Sequence, residues 1–120
     1  MMVSGSLSQI ILYVKDMESE VRFYRDVIGL KIVYPQDLFS DFSQEMWVEF
    51  DAGGCSLALH GGAQEPPDDK HEIIFKVENL GQARMEMLNA GIQIDEIRLL
   101  EDGAPIAEGY DPEGHRFAIR

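Results

Sequence analysis

The sequence of 120 residues predicts an α+β fold in which a βαβββ module occurs twice, each module being an incomplete curved sheet. The first observation is a repeat in the closing segments of the two halves. The segments "DAGGCSLALH" at 51–60 and "DPEGHRFAIR" at 111–120 share Asp, Gly and Ala at equivalent positions. The opening segments carry the second, because "QIILYV" at 9–14 and "EIIFKV" at 72–77 are both runs of strand-forming residues. The elements recur in the same order, so we expect a single domain of two repeats.

A capped helix is expected after each opening strand. Asp16 and Asn79 are good N-cap residues, and Gln82 stands at capping-box spacing from Asn79. Each helix is expected to end at a glycine, Gly29 or Gly91. Apolar residues follow the helical period at Met17, Val21, Tyr24 and Ile28, and again at Leu80, Ala83, Met87 and Ala90.

Short strands complete each module. The sequence predicts them at 31–34, 45–51 and 55–60, and then at 94–100, 105–110 and 115–120. "DAGG" and "DPEG" are tight turns that join the last pair of strands in each half. The segment 61–70 is rich in Gly, Pro and acidic residues, so it is predicted to link the first module, 7–60, to the second, 71–120.

The composition indicates which classes of binding partner to expect and in which cellular compartment the protein acts. Ten basic and twenty-two acidic residues give a net charge of −12, which argues against nucleic-acid binding and permits a cationic ligand or a solubilising surface. No apolar run approaches the roughly 20 residues of a membrane span, and the start "MMVSGSLSQ" lacks the apolar stretch of a signal peptide. Cys55 has no partner for an internal disulfide, so a cytoplasmic location is expected.

Two long motifs resemble one superfamily. "QIILYVKDMESEVRFYRDVIGLKIV" resembles the opening of a vicinal-oxygen-chelate protein, and "DPEGHRFAIR" resembles that superfamily's closing hairpin. The group includes glyoxalase I, extradiol dioxygenases, fosfomycin-resistance enzymes and bleomycin-resistance proteins. The resemblance implies that the two βαβββ modules form a cupped mixed β-sheet, that the protein is a homodimer, and that the ligand site lies on the concave face of the sheet.

The resemblance also implies where a metal would be held. The positions that correspond to the family's ligands are Gln9, Ala58, Glu72 and Ala118. Metal-dependent members mostly carry His and Glu there, whereas Ala has no donor atom. We therefore expect no metal and no other cofactor. The alternative is a divalent metal in a rearranged site of Gln9, His60 and Glu72, which Glu49 or Glu108 could extend.

Strand alternation predicts the lining of the ligand pocket. The candidate residues are Gln9, Ile11, Tyr13, Trp47, Ala58, His60, Glu72, Ile74, Arg116 and Ala118. Trp47, Phe39 and Phe42 either add aromatic surface to this pocket or pack as ordinary core and loop residues. Glu72 either faces the ligand or forms an ion pair with Lys76 or Arg116.

Two functions remain open from the sequence. The first is a metal-free protein, resembling the bleomycin-resistance branch, that binds a small organic ligand on the concave face. The second is a lyase or dioxygenase-type enzyme with a remodelled metal site or with Glu72 as general base, since burial raises the pKa of a carboxyl group.

Overall fold

The computed structural model describes residues 3–36 and 41–120. Its α+β chain divides into two compact units, one up to Gln64 and the other from Glu65 onward. Each unit contains one mixed β-sheet, and no helix among the described residues is long and apolar enough to span a membrane. Phe39 lies outside the described residues.

The first unit has a four-stranded sheet and one helical region. Its elements, in chain order, are β1 (Gln9–Tyr13), α1 (Met17–Arg22), a π-helical segment (Phe23–Ile28), β2 (Lys31–Tyr34), β3 (Trp47–Asp51) and β4 (Ser56–His60). The strand order is β1-β4-β3-β2, with β1 parallel to β4 and the other pairs antiparallel. A parallel pair needs a crossover connection, which the helical region provides.

The helical region begins and ends where the sequence predicts, although its interior differs. The Asp16 side chain accepts a hydrogen bond from the Ser19 amide at 3.2 Å and caps the first turn. The region ends at Gly29, whose positive φ of 91° suits a residue without a side chain. From Phe23 onward, however, the turn widens, and the Gly29 amide donates to the Tyr24 carbonyl five residues back.

The core of the first unit lies on the helical side of the sheet. The rings of Tyr24 and Phe50 meet with 6.3 Å between their centroids. The strand residues that share this side are buried and apolar: Ile32, Val48, Phe50, Leu57 and Leu59. Burial of one such side chain contributes about 1.5–3 kcal/mol, so this side fixes the strand register.

The second unit repeats this plan. Its elements are β5 (Ile73–Phe75), α2 (Leu80–Asn89), β6 (Gln93–Ile94), β7 (Arg98–Leu99), β8 (Pro105–Tyr110) and β9 (Arg116–Ile119). The strand order is β5-β9-β8-β6, with β7 also paired to β8, and β5 is parallel to β9. Asn79 caps α2 by accepting from the Gln82 amide at 3.0 Å, and Gly91 follows the helix with a φ of 80°.

The prediction of one continuous strand over 94–100 is wrong, because the chain forms two short strands, β6 and β7, in this stretch. Ile94 pairs with Gly109 and Arg98 pairs with Ile106. The chain therefore advances four residues from Ile94 to Arg98 while the facing strand β8 advances three. One extra residue in this stretch is a β-bulge, which interrupts the ladder and bends the strand. A Cβ atom on Gly109 would lie 2.4 Å from the Gln93 carbonyl oxygen, so the close approach of β6 requires glycine at that position.

The turn before β9 is held by a buried carboxylate. Asp111 Oδ1 accepts from three backbone amides, those of Glu113, Gly114 and His115, at 2.9–3.0 Å. Its other oxygen lies 2.7 Å from Nδ1 of His115. The equivalent residue of the first module, Asp51, is exposed and accepts from the Gly53 amide at 3.0 Å.

These two aspartates predict unequal effects on stability. Asp111→Ala should lower the free energy of unfolding by about 3 kcal/mol or more, because it leaves the buried His115 amide without its acceptor and also removes the contacts to the Glu113 amide and the His115 ring. Asp51→Ala is the matched control and should change it by only about 0.5 kcal/mol, since water can replace an exposed acceptor. Urea unfolding measures both, and equal losses in the two variants would contradict this account of the turn.

Candidate functional site

The front face of the first sheet is the side that carries no helix. Strand register decides which side chains share it, because successive residues point to opposite sides of a strand. Its residues form three rows across β1, β4 and β3, namely Gln9, Ser56 and Asp51; Ile11, Ala58 and Glu49; and Tyr13, His60 and Trp47. The candidate pocket residues of the first module therefore lie together on this face.

The front face of the first sheet combines an apolar middle with polar neighbours. Gln9 Nε2 donates to Ser56 Oγ at 2.9 Å. Ile11 and Tyr13, both on the edge strand β1, expose 39% and 59% of their surface. The face therefore offers uncovered apolar surface beside hydrogen-bonding groups.

An aromatic corner is formed by Tyr13, His60 and Trp47. The His60 ring centroid lies 5.1 Å from that of Tyr13 and 6.1 Å from that of Trp47, the latter in an edge-on arrangement. His60 Nδ1 lies 2.7 Å from the Gly61 carbonyl oxygen, which can only accept, so Nδ1 carries a proton. In the neutral ring, Nε2 is then the acceptor.

Glu49 stands next to this corner. Its Oε1 accepts a hydrogen bond from the indole N–H of Trp47 at 3.3 Å. The carboxylate is half-buried on the front face, in the row of Ala58. Neighbouring rows of one face lie about 7 Å apart, so Glu49 and the aromatic corner can touch the same small molecule.

The front face of the second sheet repeats the middle row of the first. Ile74 pairs with Ala118, and Ala118 pairs with Glu108, as Ile11, Ala58 and Glu49 do in the first module. Arg116 lies two residues before Ala118 and Glu72 lies two before Ile74, so both share this face. The candidate residues of the second module therefore also lie on one face.

An ionic cluster occupies this second front face. Arg116 NH2 donates to Glu72 Oε2 at 3.1 Å and to Glu108 Oε2 at 3.5 Å, while its NH1 donates to the Asp69 carbonyl at 3.1 Å. Arg98 Nε donates to the other oxygen of Glu108 at 2.8 Å. Of the two ion pairs open from the sequence for Glu72, the structure contains the one with Arg116.

The two carboxyl groups of this cluster have opposite pKa shifts. Burial, together with a hydrogen bond to Glu108 and its nearby charge, raises the pKa of Glu72 above its ordinary value despite the arginines. Hydrogen bonds from Arg98 and from Glu72 lower the pKa of Glu108. Glu72 is thus the group of the pair that holds a proton more readily, with Glu108 as the acceptor.

The residues at the family's metal positions do not form a ligand set. Ala58 and Ala118 are fully buried methyl side chains at the middle of their front faces. Gln9 is hydrogen-bonded to Ser56, and the Glu72 carboxylate is paired with Arg116. A divalent cation needs several convergent oxygen or nitrogen donors, and one amide with one paired carboxylate does not fit that need.

Two further residues named from the sequence, Phe42 and Lys76, do not contribute to the two sites described above. Phe42 is buried, with the guanidinium of Arg25 5.6 Å from its ring centroid and its amide donating to Glu18, so it packs as a core residue. Lys76 is exposed. Sequence reasoning did not identify Arg98 as a partner of Glu108, because that contact depends on the bulge, which has no signature in the sequence.

The opposite pKa shifts predict opposite pH dependences of stability. A carboxyl whose pKa is raised on folding favours the native state at low pH, and this contribution is lost as pH rises through the folded value. Glu72→Gln should therefore melt a few degrees above the parent at about pH 7, with the difference vanishing toward about pH 4. The lowered pKa of Glu108 contributes stability above the unfolded value, which is lost as pH falls through the folded value.

Glu108→Gln is the matched variant for this test. It should melt below the parent at about pH 7, and the gap should close on acidification. Melting curves from about pH 4 to pH 8 measure both differences. A neutral-pH loss of stability in Glu72→Gln as large as that in Glu108→Gln would show that the ion pair with Arg116 outweighs the burial of Glu72.

Solved structures with the same fold are similar over almost the whole chain. A glyoxalase family protein from Enterococcus faecalis superposes with a TM-score of 0.74 at 17% identity, covering 98% of each chain. The fosfomycin resistance protein FosX from Mesorhizobium loti gives 0.72 at 19% identity, covering 98% of this chain and 92% of its own. Lactoylglutathione lyase from Agrobacterium tumefaciens gives 0.71 at 19% identity, with coverage of 95% and 91%.

Sequence comparison gives the family directly. A comparison with curated protein sequences returns no significant match. The family model of the Glyoxalase/Bleomycin resistance protein/Dioxygenase superfamily matches residues 6–119, which is nearly the full length. With two βαβββ modules and this match, the chain belongs to the Glyoxalase/Bleomycin resistance protein/Dioxygenase superfamily.

Proposed function

We propose that the chain binds a small organic molecule on the front faces of its sheets without the metal that many members of the superfamily use. The observation that carries this proposal is the alanine at the middle of each front face, Ala58 and Ala118. Metal-dependent members keep a ligand at these positions. A methyl group there supplies no donor atom, and the accessible apolar surface of each front face comes from the neighbouring isoleucines, Ile11 and Ile74.

The exposed surface supports the same proposal. Ile11 and Ile74, which stand at equivalent positions of the two modules, are 39% and 46% exposed. Exposed apolar side chains beside a few fixed polar groups are typical of small-molecule sites. A homodimer, the assembly that the superfamily often forms, is part of this proposal.

A second candidate function is proton transfer by the carboxyl pair of the second module. The observation that favours it is the raised pKa of Glu72 beside Glu108, whose pKa is lowered. Groups with shifted pKa values that share a proton are suited to acid–base catalysis. In this candidate, ionised Glu72 would accept a proton from a bound substrate, and Arg116 would hold the carboxylate in place.

A fragment screen in the presence of a chelator tests the binding proposal. Amide shifts of the ¹⁵N-labelled protein in excess EDTA should reveal organic fragments that move front-face signals such as those of Ile11, Tyr13 and Ile74. Adding Zn²⁺ or Mg²⁺ in place of EDTA should leave the affinities within about twofold, because the proposed site contains no metal. Fragments that bind only with metal, or bind only elsewhere, would contradict the proposal.

The variant Glu72→Gln separates the two candidate functions. Under the binding proposal, ligands are retained and none is converted. Under the proton-transfer candidate, a substrate is turned over by the parent protein, and Glu72→Gln loses about 10²-fold or more of kcat while KM changes little. The matched control is Glu65→Gln, an exposed glutamate outside the strands of both front faces that should preserve turnover.

A further inference from the structure

The two modules differ in how they compensate the same carboxylate. Glu49 and Glu108 occupy equivalent positions, each beside the central alanine of its front face. Glu108 is paired with Arg98 at 2.8 Å and with Arg116 at 3.5 Å. Glu108 therefore shows how a glutamate at this position is paired when arginine side chains balance its charge, and Glu49 can be compared with it.

Glu49 has no such balance within the described residues. Its hydrogen bond comes from the indole of Trp47, a neutral donor, and no lysine or arginine pairs with it in the described part of the chain. The remaining residues, 1–2 and 37–40, contain no lysine or arginine in the sequence. Lys31, the cation of this sheet, is aligned with Asp51 at the far end of β3.

The half-buried carboxylate of Glu49, which has no lysine or arginine partner among the described residues, can gain stability from a bound cation. Partial burial weakens its hydration, and an approaching positive charge would recover that loss. The aromatic rings nearby suit the substituents of an organic cation, because the face of an indole or phenol attracts positive charge. The chain's net charge of −12 also favours the approach of cations.

We propose that the front face of the first module binds an organic ammonium ion, with the charged nitrogen against Glu49 and its alkyl substituents against Trp47 and Tyr13. This inference rests on the proposed function and narrows its ligand class. The second module does not share the specificity, because its equivalent carboxylate is already paired with two guanidinium groups. Charge, rather than shape alone, selects the ligand.

The test compares choline with 3,3-dimethylbutan-1-ol, which has the same shape and no charge. Trp47 is the one tryptophan of the sequence, so its indole ¹⁵N–¹H signal reports directly on the site. Choline should shift this signal saturably, and the neutral alcohol should bind at least about tenfold more weakly. Glu49→Gln should weaken choline binding by about tenfold or more, whereas the matched control Glu65→Gln, an exposed glutamate outside the strands of both front faces, should stay within about twofold.

A second variant keeps the test independent of any folding defect in Glu49→Gln. Tyr13 is 59% exposed, so Tyr13→Ala should fold and still weaken choline binding severalfold. Equal affinities for choline and the neutral alcohol, or unchanged binding in Glu49→Gln, would overturn the inference and leave the organic-ligand proposal intact. If neither probe nor any fragment of the chelator screen moves a front-face signal, both the inference and the proposed function fail.

Discussion

Parallel pairing between the opening and closing strands of each module is the constraint from which the site follows. It sets Ile11 beside Ala58 in the first module and Ile74 beside Ala118 in the second. The crossover helix covers one side of the sheet, and the apolar residues on that side fix the register. A slip of one residue would bury the polar set and expose the core, so the composition of each front face is fixed by the stability of its back.

The two front faces share one row of residues and differ in their charged groups. The shared middle row of Ile, Ala and Glu shows their common plan, while the surrounding residues differ in charge. Arg98 and Arg116 balance Glu108 in the second module, whereas an indole is the partner of Glu49 in the first. Among the described residues, the second face is therefore internally paired, whereas Glu49 on the first face lies beside aromatic rings without a lysine or arginine partner.

The order of elements could be predicted from the sequence because it depends on local signals. Strand runs, N-caps and the glycines at 29 and 91 are each specified within a few neighbouring residues. Alternation along the strands then placed Gln9, Ile11 and Tyr13 on one side. The ion pair between Glu72 and Arg116 was one of two options for Glu72, and the strand register selected it.

Features that depend on long-range geometry could not be predicted. The widened turn from Phe23 and the bulge between Ile94 and Arg98 arise from packing and pairing with distant strands. The bulge determines that Arg98 reaches Glu108, so the charge balance of the second front face was hidden from the sequence. That no lysine or arginine of the described residues pairs with Glu49 also could not be predicted, because it depends on which side chains the folded chain brings near β3.

The metal content of protein purified without chelator and without a nickel column tests the central claim most directly. Elemental analysis beside a Glu72→Ala control should find less than about a tenth of a divalent metal per chain in both proteins, because Ala58 and Ala118 supply no donor atoms. About one metal per chain in the parent, lost in Glu72→Ala, would contradict the account and would show that the second front face holds a metal despite the pairing of Glu72 with Arg116.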